Sequence, residues 1–223
     1  MLLAVPLFIL LRPAGAQDDC SSVADYPAGK AWAYRWYDSA GKLTYLTAHR
    51  VRQRDTSAQL STITVEIVNA FEDTVYQGQY QVRCTSEGLY QDLLAKLTPD
   101  MLRSLAGVDL RTEEVGWRLP LGLQPGDRIP QAYSHLTGYN NGSKLLELDL
   151  AIGPVDILTN ENLTTPAGSF PCVALAYELW ITQLVRKRFR LRDWFSPGVG
   201  VIRREVFDRR GKYFGYCELV EVK

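Results

Sequence analysis

Apolar and aromatic side chains recur at every second position in several stretches of this sequence, and that alternation constrains the fold more than any other feature. Trp32, Tyr34 and Trp36 alternate with Ala33, Arg35 and Tyr37, and a turn at residues 38–41 leads into Leu43, Tyr45 and Thr47. Ile63, Val65 and Ile67 alternate with Thr62, Thr64 and Glu66, and a turn near Glu72 and Asp73 leads into residues 75–84. Successive side chains of an extended chain point to opposite faces, so this period predicts antiparallel strands with one buried and one mixed face. The final quarter reads as four more strands, near residues 172–181, 184–194, 199–207 and 212–222, with residues 208–211 as the last hairpin turn.

Helical spacing is confined to the middle of the chain. Residues 90–97 carry Leu93, Leu94 and Leu97 at three- and four-residue intervals, and Thr98-Pro99-Asp100 reads as the start of a second short helix ending at Gly107. Both helices are expected to pack on the core and cover the mouth or one face of the sheet. Turns are expected at residues 122–127, 140–142 and 153–154. Nothing resembling a linker, a low-complexity run or a repeat divides residues 17–223, which predicts a single all-β domain with one or two short helices.

Ahead of that domain, residues 2–11 are apolar and are followed by Arg12-Pro13 and Ala14-Gly15-Ala16. The pattern predicts a signal peptide over residues 1–16, with cleavage after Ala16. The run is shorter than the roughly 20 residues that span a bilayer, and no second stretch approaches that length, so the mature chain is expected to be periplasmic or secreted. Export would place Cys20, Cys84, Cys172 and Cys217 in an oxidising compartment as candidates for two disulfides, with three pairings open. None lies in a C-x-x-C pair and only His49 and His135 are present, so neither a metal site nor a cofactor is expected.

Catalytic patterns are absent: there is no G-x-S-x-G, no H-E-x-x-H, no phosphate loop and no dinucleotide fingerprint. The acid pairs Glu113-Glu114, Glu147 with Asp149, and Glu218 with Glu221 read as solvent-side carboxylates, and both histidines as surface or structural. The chain is therefore read as not an enzyme. Its charges balance at 25 basic and 25 acidic residues, yet residues 180–212 hold ten basic residues against Asp193, Glu205 and Asp208. Strand alternation places Arg186, Arg188, Arg190 and Arg192 on one face and Lys187, Phe189 and Leu191 on the other, while Arg203 shares a face with Glu205 and Arg204 with Val206. Cross-strand acids could neutralise this array. Left unpaired, Arg186, Arg188, Arg190 and Arg203 are the candidate contacts to an anionic partner: a lipid headgroup, a glycolipid phosphate or an acidic envelope protein. Nucleic acid is not expected for an exported, near-neutral chain. Pro197, Gly198, Gly200 and Gly211 read as structural turn residues, with the bend before Ile202 aiming Arg203 or Arg204 outward.

The segments TTPAGSFPC at residues 164–172 and WFSPGVGVIRRE at residues 194–205, with Gly211-Lys212 and residues 215–219, resemble the TapB-like family of exported Bacteroidetes proteins of unknown function. The resemblance covers most of the mature chain. It implies an envelope domain built as one large curved antiparallel sheet, similar to the unclosed barrels of lipoprotein carriers and covered by short helices. By that analogy the concave sheet would hold a lipid or other amphipathic ligand within a basic rim. The alternative is a structural or assembly factor that binds another envelope protein through a sheet edge or basic face. No catalytic residues come with the family.

Overall fold

A computed structural model describes residues 26–112 and 116–223. The leader, Cys20 and the Glu113-Glu114 pair lie outside the described residues. Strands β1 (Ala31–Asp38), β2 (Leu43–Asp55), β3 (Leu60–Asn69), β4 (Thr74–Thr85) and β5 (Gly88–Gln91) form an antiparallel meander. A 3-10 turn at Leu93–Lys96 and helix α1 (Pro99–Arg103) follow. The chain then forms β6 (Asp109–Thr112), β7 (Trp117–Leu119), β8 (Arg128–Ile129), β9 (Ala132–Asn140), β10 (Ser143–Ile152) and β11 (Val155–Thr165). Four long strands complete it: β12 (Gly168–Thr182), β13 (Arg186–Ser196), β14 (Gly200–Asp208) and β15 (Tyr213–Val222).

These strands make one sheet in the order β6-β9-β10-β12-β13-β14-β15-β1-β2-β3-β4-β5-β7, with β11 and β8 branching from β12. The two ends of that path do not pair, so the sheet curves without closing into a barrel. Register shifts at Ala33/Tyr34, Trp36/Tyr37, Trp194/Phe195 and Val206/Phe207 each add local bend and twist. The alternation reads through to burial, since Trp32 and Tyr34, Ile63, Val65 and Ile67, and Tyr177 and Leu179 all enter the core.

The seam between β1 and β15 is tight because Gly215, with φ of 148°, pairs with Asp38. A β-carbon there would lie 2.1 Å from the carbonyl oxygen of Tyr37. Gly215→Ala is accordingly expected to destabilise the protein by on the order of 3 kcal/mol, from overpacking and backbone strain together. Chemical denaturation checks this, and an unchanged midpoint would contradict the pairing of Gly215 with Asp38.

The helical expectation is half met. Residues 88–91 are strand, because Tyr90 is caught in a ladder between Arg83 and Arg118, and only a single 3-10 turn follows. Asp92 caps that turn by accepting the Leu94 N–H at 3.0 Å. The second helix begins at Pro99 as expected but ends at Arg103, short of Gly107. Leu93, Leu94, Leu97, Leu102 and Leu105 all pack into the core.

Two disulfides do not form among the four cysteines. Cys84 is disulfide-bonded, whereas Cys172 and Cys217 are buried free thiols. Those two lie on β12 and β15 with β13 and β14 between them. Three strand spacings separate them by about 14 Å, twice the reach of a bridge.

Candidate functional site

The sheet and its helical cover leave a groove of about 600 Å³ at the end where the β12–β13, β14–β15 and β1–β2 hairpins turn. Phe189, Ile181, Val206 and Leu148 contribute the apolar wall, and Leu97, Met101 and Leu105 the roof. Polar groups interrupt it: the Tyr45 hydroxyl donates to Asp100 at 2.6 Å, and Asp38, Thr44, Ser104, Gln183 and Lys187 reach the same space. The mouth carries unusual exposed apolar groups, with Leu184 95 %, Val185 70 % and Phe214 47 % accessible. A mostly apolar concavity of this volume, with a handful of oriented polar groups, is typical of a small-molecule site of about 300–1,000 Å³.

Behind the groove, a buried ionic cluster ties the roof to the sheet. Asp193 on β13 faces Arg204 on β14, and the guanidinium donates through Nε and Nη2 to the two carboxylate oxygens at 2.7 and 2.8 Å. The Tyr177 hydroxyl donates to the same carboxylate at 2.7 Å, and the Lys96 ammonium lies 3.5 Å from it. Arg204 Nη1 also donates to the carbonyls of Ala95 and Lys96, both at 3.3 Å, which fixes the 3-10 turn over the strands. Lys96 stands 4.0 Å above the Trp117 ring. Burial alone would raise the Asp193 pKa, but Arg204, Lys96 and the Tyr177 hydroxyl hold it down at about 2. Burial pushes Lys96 down to about 8 against the pull of Asp193.

His49 occupies a half-buried position, stacked on Trp32 at 5.4 Å with its Nδ1 3.2 Å from the Tyr80 hydroxyl. Partial burial, aided by the positive charge of Arg204, lowers its pKa to about 3. The imidazole is thus neutral, with the rings of Trp32, Tyr34 and Tyr80 around it. Among the described residues no group of three or more His, Cys, Asp or Glu is placed to hold a metal ion.

The arginines singled out in the sequence lie elsewhere. Arg186, Arg188 and Arg190 project from the face of β13 opposite Phe189 and Leu191, and none lines the groove. Arg188 and Arg190 both pair with Glu178, the latter at 3.6 Å, while Arg186 stacks 5.4 Å over Trp180. Arg203 pairs with Glu205 at 3.0 Å and lies 4.5 Å over Tyr216. The basic array is therefore a partly neutralised ladder on the other face of β13, and Lys187 is the one basic residue of β13 in the groove wall. The bend before Ile202 directs Arg203 outward and Arg204 into the core. Pro197, Gly198 and Gly200 form that bend, with φ of 77° and 113° at the two glycines, and Gly211 turns the last hairpin at 83°. Exposed His135 contacts Asp149 at 2.7 Å. Lys96, Asp193 and Arg204 are the functional-looking residues that sequence reading passes over. The available signal is Asp193 continuing the inward set of Phe189 and Leu191, and Arg204 lying between Ile202 and Val206 on their inward face.

A model of the DUF3108-like family matches residues 27–219. The chain belongs to the DUF3108-like family. No curated protein matches this DUF3108-like chain. Its fold is similar to that of a solved protein from Bacteroides fragilis described as exported and of YmcC-like fold, at 21 % identity and a TM-score of 0.76 over 90 % of this chain and 98 % of that one. It is also similar to a solved Parabacteroides distasonis protein described as a lipoprotein, at 21 % identity and 0.75 over 92 % and 100 %. The DUF3108-like chain shares their architecture along nearly its whole described length.

Proposed function

We propose that this protein is a noncatalytic binding protein of the cell envelope, holding a lipid or other amphipathic ligand in the groove under α1. The groove itself carries the reading: about 600 Å³ of apolar space, open beside exposed Leu184 and Val185. Desolvating an acyl chain against Phe189, Ile181 and Met101 would supply the affinity, with Lys187 near the opening to meet an acidic head. The exported and lipoprotein descriptions of the two structural relatives agree with an envelope setting, as does the leader-like sequence at residues 1–16. A narrower placement among TapB-like proteins rests on the motifs at residues 164–172 and 194–205.

Native mass spectrometry of protein purified without harsh detergent tests the reading, together with titration of delipidated protein by a fluorescent fatty acid. A lipid-sized adduct and saturable binding are expected. Met101→Trp, which fills the groove without adding charge, should weaken binding about tenfold or more, with an unchanged circular dichroism spectrum showing that the fold survives loss of the Met101 sulfur's contact to the Thr98 N–H. Consistently bare protein with no saturable titration would defeat carriage. Recovery of bare protein with a stoichiometric envelope protein would support the assembly-factor alternative.

A further inference from the structure

We infer that the hairpin end beside the groove is a docking tip for anionic bilayer surfaces, with Leu184 and Val185 as its inserting residues. The register leaves this turn beyond the end of β14, while β10, which meets Thr182 at Asp149, runs on past it to Ser143. Phe189 pairs with Asp208 where β14 stops, yet β12 and β13 continue to pair out to Thr182 and Arg186. Gln183, Leu184 and Val185 form the turn beyond that last pair, and the two aliphatic side chains are almost wholly in water. Isolated exposed leucines are ordinary, but two adjacent aliphatics at the crest of a hairpin, almost wholly in water, are not explained by packing.

Cations predominate on the β13 and β14–β15 side of this crest, whereas Asp149, opposite Thr182, and Glu147 lie on its β10 side. Arg186, Lys187 and Arg188 follow the two aliphatics directly, and the neighbouring β14–β15 turn adds Arg209, Arg210 and Lys212. Of the acids nearby, Asp208 accepts the turn N–H groups of Arg210 and Lys212 at 2.7 and 2.8 Å, and Glu178 is engaged by Arg188 and Arg190. Arg209, Arg210 and Lys212 make no ion pair with a described residue, and their turn is exposed. An apolar crest flanked by cations along β13 and the β14–β15 turn matches the cross-section of an anionic leaflet, where phosphates lie above the acyl region. Leu184, Val185 and Phe214 also edge the groove, so docking in this pose would turn the groove mouth toward the lipid. This goes beyond ligand holding and does not require it, because Arg209 and Arg210 are not part of the groove.

Vesicle sedimentation tests the docking tip, using phosphatidylcholine alone or with about one-third phosphatidylglycerol, at low salt and at roughly 0.5 M salt. Retention is expected only on the anionic vesicles and should fall sharply at high salt. The variants Leu184→Asp with Val185→Asp, and Arg209→Glu with Arg210→Glu, should each lower partitioning about tenfold or more. Both pairs are solvent-exposed, so their melting temperatures should match that of the unsubstituted protein. Equal retention on neutral and anionic vesicles, retention on neither, or unchanged retention in both variants overturns the inference. The fatty-acid titration separates the two readings. Titration preserved in the Arg209→Glu, Arg210→Glu variant shows the groove acting independently, whereas vesicle retention without any titration would leave docking standing and remove carriage.

Discussion

Asp193→Ala is expected to destabilise the protein by about 3–5 kcal/mol, because it leaves the buried charges of Arg204 and Lys96 without their carboxylate. Asp193 is fully buried, so water cannot take over its role without opening the sheet. The Tyr177 hydroxyl loses its acceptor in the same step. A urea or guanidinium titration checks the magnitude. Removing the cluster together, as Asp193→Leu with Arg204→Met and Lys96→Met, should recover much of the loss, since an apolar replacement avoids the desolvation of all three ions. A single alanine variant with wild-type stability would mean that the cluster does not hold the roof in place.

The second large effect is acid sensitivity through His49. Its folded pKa of about 3 lies well below the ordinary 6.5, so between those values the unfolded state binds a proton that the folded state refuses. Stability should therefore fall by roughly 1.4 kcal/mol for each pH unit below about 6, until the folded protein itself protonates near pH 3. Asp193 acts in a lower window: its contribution is intact above the ordinary carboxylate range and is lost as pH drops through the folded value of about 2. Denaturation at pH 5 samples the His49 window above that of Asp193, and comparison with a variant that lacks the imidazole isolates its share from that of Asp92, whose pKa burial raises. His49→Phe, which keeps a ring against Trp32 but has no proton to bind, should flatten the slope there; an unchanged slope would assign the acid response to other groups. Lys96 acts in the same sense at high pH. Its folded pKa of about 8 against 10.5 means that stability should rise from about pH 8, until the buried tyrosines, whose pKa values are raised, begin to favour the unfolded chain near pH 10.

The strands are readable because their information is local. Trp32-Tyr34-Trp36 and Ile63-Val65-Ile67 declare their buried faces by alternation alone, and glycines such as Gly198 and Gly211 mark the turns. Residues 90–97 mislead because Leu93, Leu94 and Leu97 suit a helix or a 3-10 turn equally, and the deciding pairings of Tyr90 come from other strands, one of them well along the chain. Alternation also separates the arginine stripe from Phe189 and Leu191, but it cannot show Glu178 opposite Arg190. The Asp193–Arg204 contact needs the register between two strands, and the ring cluster around His49 needs Trp32 and Tyr80 from both neighbouring hairpins. The groove belongs to the same class: its walls come from β1, β2, β10 and β12–β15, and no single stretch announces it.

In this sheet β1 sits between β2 and β15, so the first strand of the N-terminal meander finds its outer neighbour only in the last strand of the described chain. As the polypeptide grows, the early hairpins can assemble while their free margin waits for residues made nearly two hundred positions later. Until then that margin offers unpaired N–H and C=O groups to any passing extended segment.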